Sequence, residues 1–177
     1  SLGTAAGAVL GLAWDTLHPE TPPRDTGIEV RTVTGFGAGY DTLWERARGS
    51  YAMCVRRDAA YLEWKYARCP HRRYALREAR REGKLLGYAV SRDEDYRGLR
   101  LGWIVDVFTA AEDHDAREAL IGSVLDSFRQ SGVARAQAFS MSATLRQDLA
   151  RRGFAPGPSP MQFCVRAGVP SEGVFED

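Results

Sequence analysis

The run LGWIVDVF at positions 101–108 constrains this chain more than any other segment. It is an apolar strand, followed by the acidic residues Glu112, Asp113 and Asp115 and then by an amphipathic helix over residues 116–130. Leu120, Val124 and Phe128, with Ile121 and Leu125 beside them, form the apolar stripe of that helix. A strand of small residues comes next at 134–139, then a helix marked by Leu145 and Leu149 and stopped by Gly153. A strand that returns through a helix lies parallel to its predecessor, and the crossover is right-handed.

The segments upstream call for antiparallel pairing. Residues 28–33 alternate apolar and polar and predict a half-buried strand. After a glycine-rich turn at 35–39, Tyr40, Leu43, Trp44 and Ala47 recur at helical spacing until Gly49 and Ser50. Asp58 is placed to cap a helix over residues 59–66, which Pro70 closes. Three strands follow at about 73–79, 85–92 and 99–108, with Glu82-Gly83 as one turn and a polar loop at 93–98 as the other. Residues 161–165 alternate as a last strand. The order β-α-α-β-β-β-α-β-α-β predicts an α/β fold with a mixed, mostly antiparallel sheet and flanking helices.

Residues 1–23 read as an N-terminal helix and linker, residues 24–167 as a single domain and residues 168–177 as a frayed tail. The first of these is small and apolar until HPETPP at 18–23 breaks it. Without an initiating methionine, the chain is expected to derive from something longer, with the apolar helix of residues 2–17 packing on the domain or a neighbouring chain. A net charge of +1 gives no electrostatic case for nucleic acid or an anionic membrane as partner. No apolar run approaches the ~18 residues of a membrane helix. Three scattered cysteines without a CxxC pair read as free thiols of a cytoplasmic protein. His18, His71 and His114 are too far apart in sequence to predict a metal site. The arginines between 68 and 81, interrupted by Glu78 and Glu82, predict a solvated sheet edge. Tyr61, Trp64, Tyr66 and Tyr74 read as core aromatics or as the lining of an acceptor groove.

Two local patterns carry a resemblance. Arg151-Arg-Gly-Phe154 matches the basic-x-Gly-Phe close of a last helix, and DAAYLEWKY at 58–66, with Pro70 and Tyr74, is similar to D-x-x-x-L-x-W-R-Y…P…Y. Over residues 28–166 the chain resembles the GCN5-related N-acetyltransferases (GNAT superfamily), in particular the C-terminal domain of bacterial tandem members. The resemblance implies acyl-CoA-dependent transfer to an amine, small-molecule or peptide, and an upstream GNAT domain or a second copy as partner. It also implies an alternative, a catalytically inert domain that shapes an active partner.

By the same resemblance, the strand before the crossover helix splays from its neighbour, and backbone groups of Val105, Asp106, Val107 and Phe108 meet the pantetheine arm of acetyl-CoA. The pyrophosphate loop R/Q-x-x-G-x-G/A falls on residues 112–117. Its glycine positions are Asp115 and Arg117, flanking Ala116. Side chains there block the close approach of amides to phosphate, and the carboxylates repel it. Acetyl-CoA is therefore expected to bind weakly or not at all, with Arg117 as a compensating cation. The same acids also serve simply to complement the helix dipole. The family's tyrosine acid is Leu149 here and its asparagine is Ser142, which stays among the expected cofactor contacts. Asp106 is the expected base. A carboxylate in an apolar strand is paired, protonated or facing a cleft, so a structural role stands beside the catalytic one.

Overall fold

The computed structural model describes residues 26–157 except residue 53. The expected helix at 2–17, the last strand at 161–165 and the tail lie outside the described residues. Five strands form one sheet in the order β1 (Glu29–Val33), β2 (Ala75–Arg81), β3 (Lys84–Tyr96), β4 (Leu99–Thr109), β5 (Arg135–Ala138). The first four pair antiparallel, and β5 lies parallel to β4. Helix α1 (Gly39–Ala47) precedes α2 (Ala59–Leu62); α3 (His114–Gln130) forms the crossover, and α4 (Ala143–Arg151) follows β5. The fold is thus the mixed, mostly antiparallel α/β arrangement that the pattern implies. Among the described residues, no helix is long and apolar enough to cross a membrane.

Both hairpins close through two-residue turns whose members all have positive φ: Glu82 and Gly83 (50° and 78°), and Arg97 and Gly98 (50° and 80°). Such turns match the twist of the flanking strands. The polar stretch at 93–98 is accordingly not a loop: β3 runs on to Tyr96 and β4 begins at Leu99.

The sheet separates two cores. On one face, Phe36, Tyr40 and Leu43 pack with Leu62 and Tyr66 of the α2 segment over Tyr88, Val90 and Phe108. On the other, Leu120, Ile121, Val124 and Phe128 of α3 pack with Leu149 over Ala89, Ile104 and Val107. Gly102 permits this second approach, since a Cβ there would lie 2.8 Å from the Phe128 ring. Asp58 caps α2 as expected, accepting from the Tyr61 amide at 2.9 Å. The helix then widens into a π turn over Glu63–Ala67, closed by the Arg68 amide on the Glu63 carbonyl. That turn carries Tyr66 inward and leaves Trp64 69% exposed, so this aromatic group is not uniformly core.

The arginine-rich stretch is corrected as well. Strand β2 lies inside the sheet, with Arg77 and Glu78 buried. Glu78 accepts hydrogen bonds from Arg31, Arg80 and Tyr40. Burial works against its ionised form, but the bonds from Arg80, Arg31 and Tyr40 outweigh burial and hold its pKa below the ordinary 4.5. Its contribution to stability is therefore complete above that value and fades as the pH falls through the lower folded one. Thermal melts of the wild type should lose ground on acidification below 4.5. Glu78→Gln should start lower at neutral pH and show a shallower acid loss. Equal acid slopes in both proteins would refute this role.

Candidate active-site cleft

Strand β4 is paired with β5 only from Leu101 to Ile104, opposite Arg135 to Ala138. Beyond Ile104 the two strands part, and residues 106–109 keep only β3 as a partner. Alternate backbone groups of this stretch face the gap instead of a neighbouring strand. Here the register of the β3–β4 pair shifts: Ser91 faces Ile104 and Val90 faces Asp106, which leaves Val105 as the extra residue of a β-bulge. The bulge re-aims the chain. Ile104 points into the α3 core, and Asp106, two residues on, points with Phe108 to the opposite, α1–α2 face.

The gap opens into a cleft of about 270 Å³. Its walls are Val105 to Phe108 of β4, Ala138 to Ser142 beyond the parting of β5, and Tyr51, Cys54 and Arg57 from the segment between α1 and α2. Of the seven expected site residues, five line it and two do not. Val105, Val107, Phe108 and Ser142 line the cleft together with Asp106, whereas Ala116 and Arg117 do not. Ser142 also caps α4, accepting from the Leu145 amide at 3.3 Å. Ala116 is buried in the α3 core.

Asp106 is fully engaged. Its Oδ2 accepts from the hydroxyls of Tyr66 at 3.1 Å and Tyr88 at 3.0 Å and from Arg57 Nε at 3.3 Å, and its Oδ1 from Arg57 Nη2 at 3.5 Å. Burial, and after it the Asp106 charge, raises the pKa of both phenols above the ordinary tyrosine value. They therefore stay protonated and act as donors. Of the two roles open for Asp106, this geometry supports the paired structural one. The donors Arg57, Tyr66 and Tyr88 were not singled out from the sequence as a set. The signal was the demand of a carboxylate in an apolar strand for partners, which does not say where in the chain they lie.

Arg117 does not reach the loop. The residue is 5% exposed and its guanidinium turns inward, where Nε donates to the fully buried Asp148 and Nη1 to Thr109 Oγ1 at 3.0 Å. The acids of the loop find other cations. Asp113 accepts from Arg46 at 2.7 Å, and Asp115 lies 3.6 Å from Arg81. Repulsion of a phosphate is accordingly weaker than three unpaired carboxylates imply, while the lack of glycine still keeps the amides from close approach. The gap thus leaves strand backbone of β4 without a partner strand, and the loop offers no glycine for a close anion approach.

His114, Glu118 and Asp148 bring ligand atoms within 4.8 Å of one another. Asp148 pairs with Arg117 and Arg151, and Glu118 Oε2 with Arg152, charges that oppose a cation there; Glu118 Oε1 is buried without a hydrogen-bond partner among the described residues.

Among solved structures, the chain is similar to a ribosomal-protein-alanine N-acetyltransferase from Brucella melitensis biovar Abortus 2308, at 18% identity and a TM-score of 0.56, over 79% of this chain and 99% of that one. An aminoglycoside acetyltransferase from an uncultured soil metagenomic sample, in complex with sisomicin, matches at 14% identity and a TM-score of 0.55, over 81% and 98%. A glucosamine-6-phosphate N-acetyltransferase from Arabidopsis thaliana matches at 11% and 0.56, over 78% and 99%. The fold is that of the GNAT superfamily. No family model and no curated protein matches the chain. The GNAT likeness is therefore one of architecture.

Proposed function

We propose that the chain is an N-acyltransferase-like domain whose β4–β5 gap receives the thioester end of an acyl donor, acetyl-CoA by resemblance, for transfer to an amine. The observation that carries this reading is the parting of β4 and β5 at Ile104 into a cleft lined by unpaired strand backbone. A cavity of roughly 150 Å³ holds a benzene, so this cleft has room for a thioester end and part of a small acceptor. Backbone amides of 105–108 that face the gap would polarise the thioester carbonyl. Asp106 holds Arg57 and two phenols in place rather than taking the proton of the amine.

A second reading, an inert GNAT-fold domain packing on an upstream GNAT domain or a second copy, draws support from the loop at 112–117, which offers no glycine to a pyrophosphate. One titration separates the two, because a ligand that binds only the native state must raise its melting temperature. Acetyl-CoA and S-acetyl-pantetheine should bind weakly and within about threefold of each other, since a loop that cannot cradle phosphate adds little. Low-micromolar acetyl-CoA affinity would restore a working pyrophosphate site. Absence of any shift with either thioester would leave the inert reading.

A further inference from the structure

Among the described residues, Arg57 is the one cation lining the cleft, and the groups around it leave part of it uncommitted. Of the described residues lining the cleft, two are charged, Arg57 and Asp106. A guanidinium carries five N–H donors. Three of those of Arg57 are used: Nη1 on the Val55 carbonyl at 3.0 Å, and Nε and Nη2 on Asp106 at 3.3 and 3.5 Å. Both contacts to Asp106 are long for a charged pair, which usually closes to about 2.7–2.9 Å. The carboxylate is shared with the Tyr66 and Tyr88 hydroxyls, and those phenolic bonds are the shorter ones. Asp106 therefore anchors the guanidinium without saturating it.

The remaining contact is with a ring face. The guanidinium carbon lies 5.3 Å from the centroid of Phe108, so the plane is held from one side by the floor of the cleft. The side chain is 22% exposed, enough to meet a ligand and too little for water to screen it fully. Burial disfavours its charge, but the Asp106 carboxylate, together with Tyr88 and Cys54, more than offsets burial and keeps the guanidinium protonated. The other walls are apolar or carry hydroxyls and one thiol, and none of them adds a competing anion.

We infer that Arg57 is a specificity-determining residue that recognises a carboxylate on the substrate, so that the cleft favours an acidic acyl group or an amine that also bears a carboxylate. A planar fork with two free N–H groups suits a carboxylate better than a neutral amide or an alkyl chain. This deepens the proposed transfer reading and rests on it only for the identity of the thioester arm.

The test uses the full chain, labelled for amide NMR and titrated with two matched pairs of probes. S-succinyl- and S-acetyl-pantetheine place the carboxylate on the acyl group; phenylalanine and phenethylamine place it on the acceptor. In one pair or the other, the acid should bind at least about tenfold tighter than its neutral counterpart, a modest yield for charge-assisted bonds. In Arg57→Gln that ratio should fall to about one. Which pair shows the preference identifies the source of the carboxylate. Should Arg57→Gln fail to give a folded spectrum, Arg57→Lys keeps a charge for Asp106 and loses the fork, and the ratio should drop at least about threefold. Acids that bind no better than neutral probes, or a preference that survives both substitutions, would overturn the inference. Failure of every thioester to shift residues 105–108 would remove the transfer reading instead. A preference for phenylalanine that depends on Arg57 would still establish the carboxylate site.

Discussion

Replacement of Asp148 by Asn should cost about 3–5 kcal/mol of folding stability, the usual result of removing one partner from a buried charge pair. Asp148 is fully buried, and its Oδ2 is the acceptor for Arg117 Nε. Its Oδ1 accepts from Arg151 at 3.0 Å and lies 3.4 Å from His114 Nδ1. Arg117 then continues to Thr109 Oγ1 and to the Ala110 carbonyl, so the pair ties α4, the first turn of α3 and the end of β4 together. An asparagine keeps the shape and removes the charge, leaving a guanidinium buried with only neutral acceptors. Arg151 loses little, because its side chain is 53% exposed. Urea unfolding should show a lower midpoint with an unchanged slope. The double variant Arg117→Met/Asp148→Leu should recover most of the loss, since an apolar pair of similar volume often equals a buried ion pair. A single-variant loss under about 1 kcal/mol would place the pair among the weak surface bridges instead.

The position of Asp148 was partly legible in the sequence. It stands three residues after Leu145 and one before Leu149, on the apolar stripe of its helix, where a carboxylate requires a partner. That partner, Arg117, was legible as a helix residue but not by direction: the same spacing suits a side chain reaching outward to a phosphate. Element order, the Asp58 cap and the Glu82-Gly83 turn are local properties, each dictated by residues within a few positions, and each could be read directly. The parting of β4 from β5 is not local. Nothing in LGWIVDVF announces a bulge at Val105, because the run is apolar on both faces and no alternation is broken by an inserted residue. Without the bulge, Asp106 shares the face of Ile104; with it, Asp106 meets Tyr66, Tyr88 and Arg57. The arginines of β2 misled for a related reason. A strand rich in charge reads as an edge until a neighbouring strand supplies counter-charges, and here Arg31 of β1 and Tyr40 of α1 meet Glu78 from 47 and 38 positions away.

Asp106→Asn should lower stability by roughly 1–3 kcal/mol and leave the expected binding of thioesters weakened through Arg57 rather than through a lost base. The amide can still accept one phenolic bond at its oxygen, but its NH2 group faces donors where the carboxylate presented an acceptor. Arg57 loses the one counter-charge that the described residues give it in the cleft and is free to leave the Phe108 face. Tyr66→Phe and Tyr88→Phe each remove one donor to the same oxygen and should cost about 1 kcal/mol apiece, with the sum differing from the double variant because the bonds share Oδ2. Chemical unfolding of the four variants measures these terms, and the pH dependence of amine acylation separates the roles. If Asp106 only positions Arg57, any residual activity of Asp106→Asn should keep the wild-type pH profile at a reduced level. A variant that keeps its stability but loses the acidic limb of that profile would instead make Asp106 the proton acceptor.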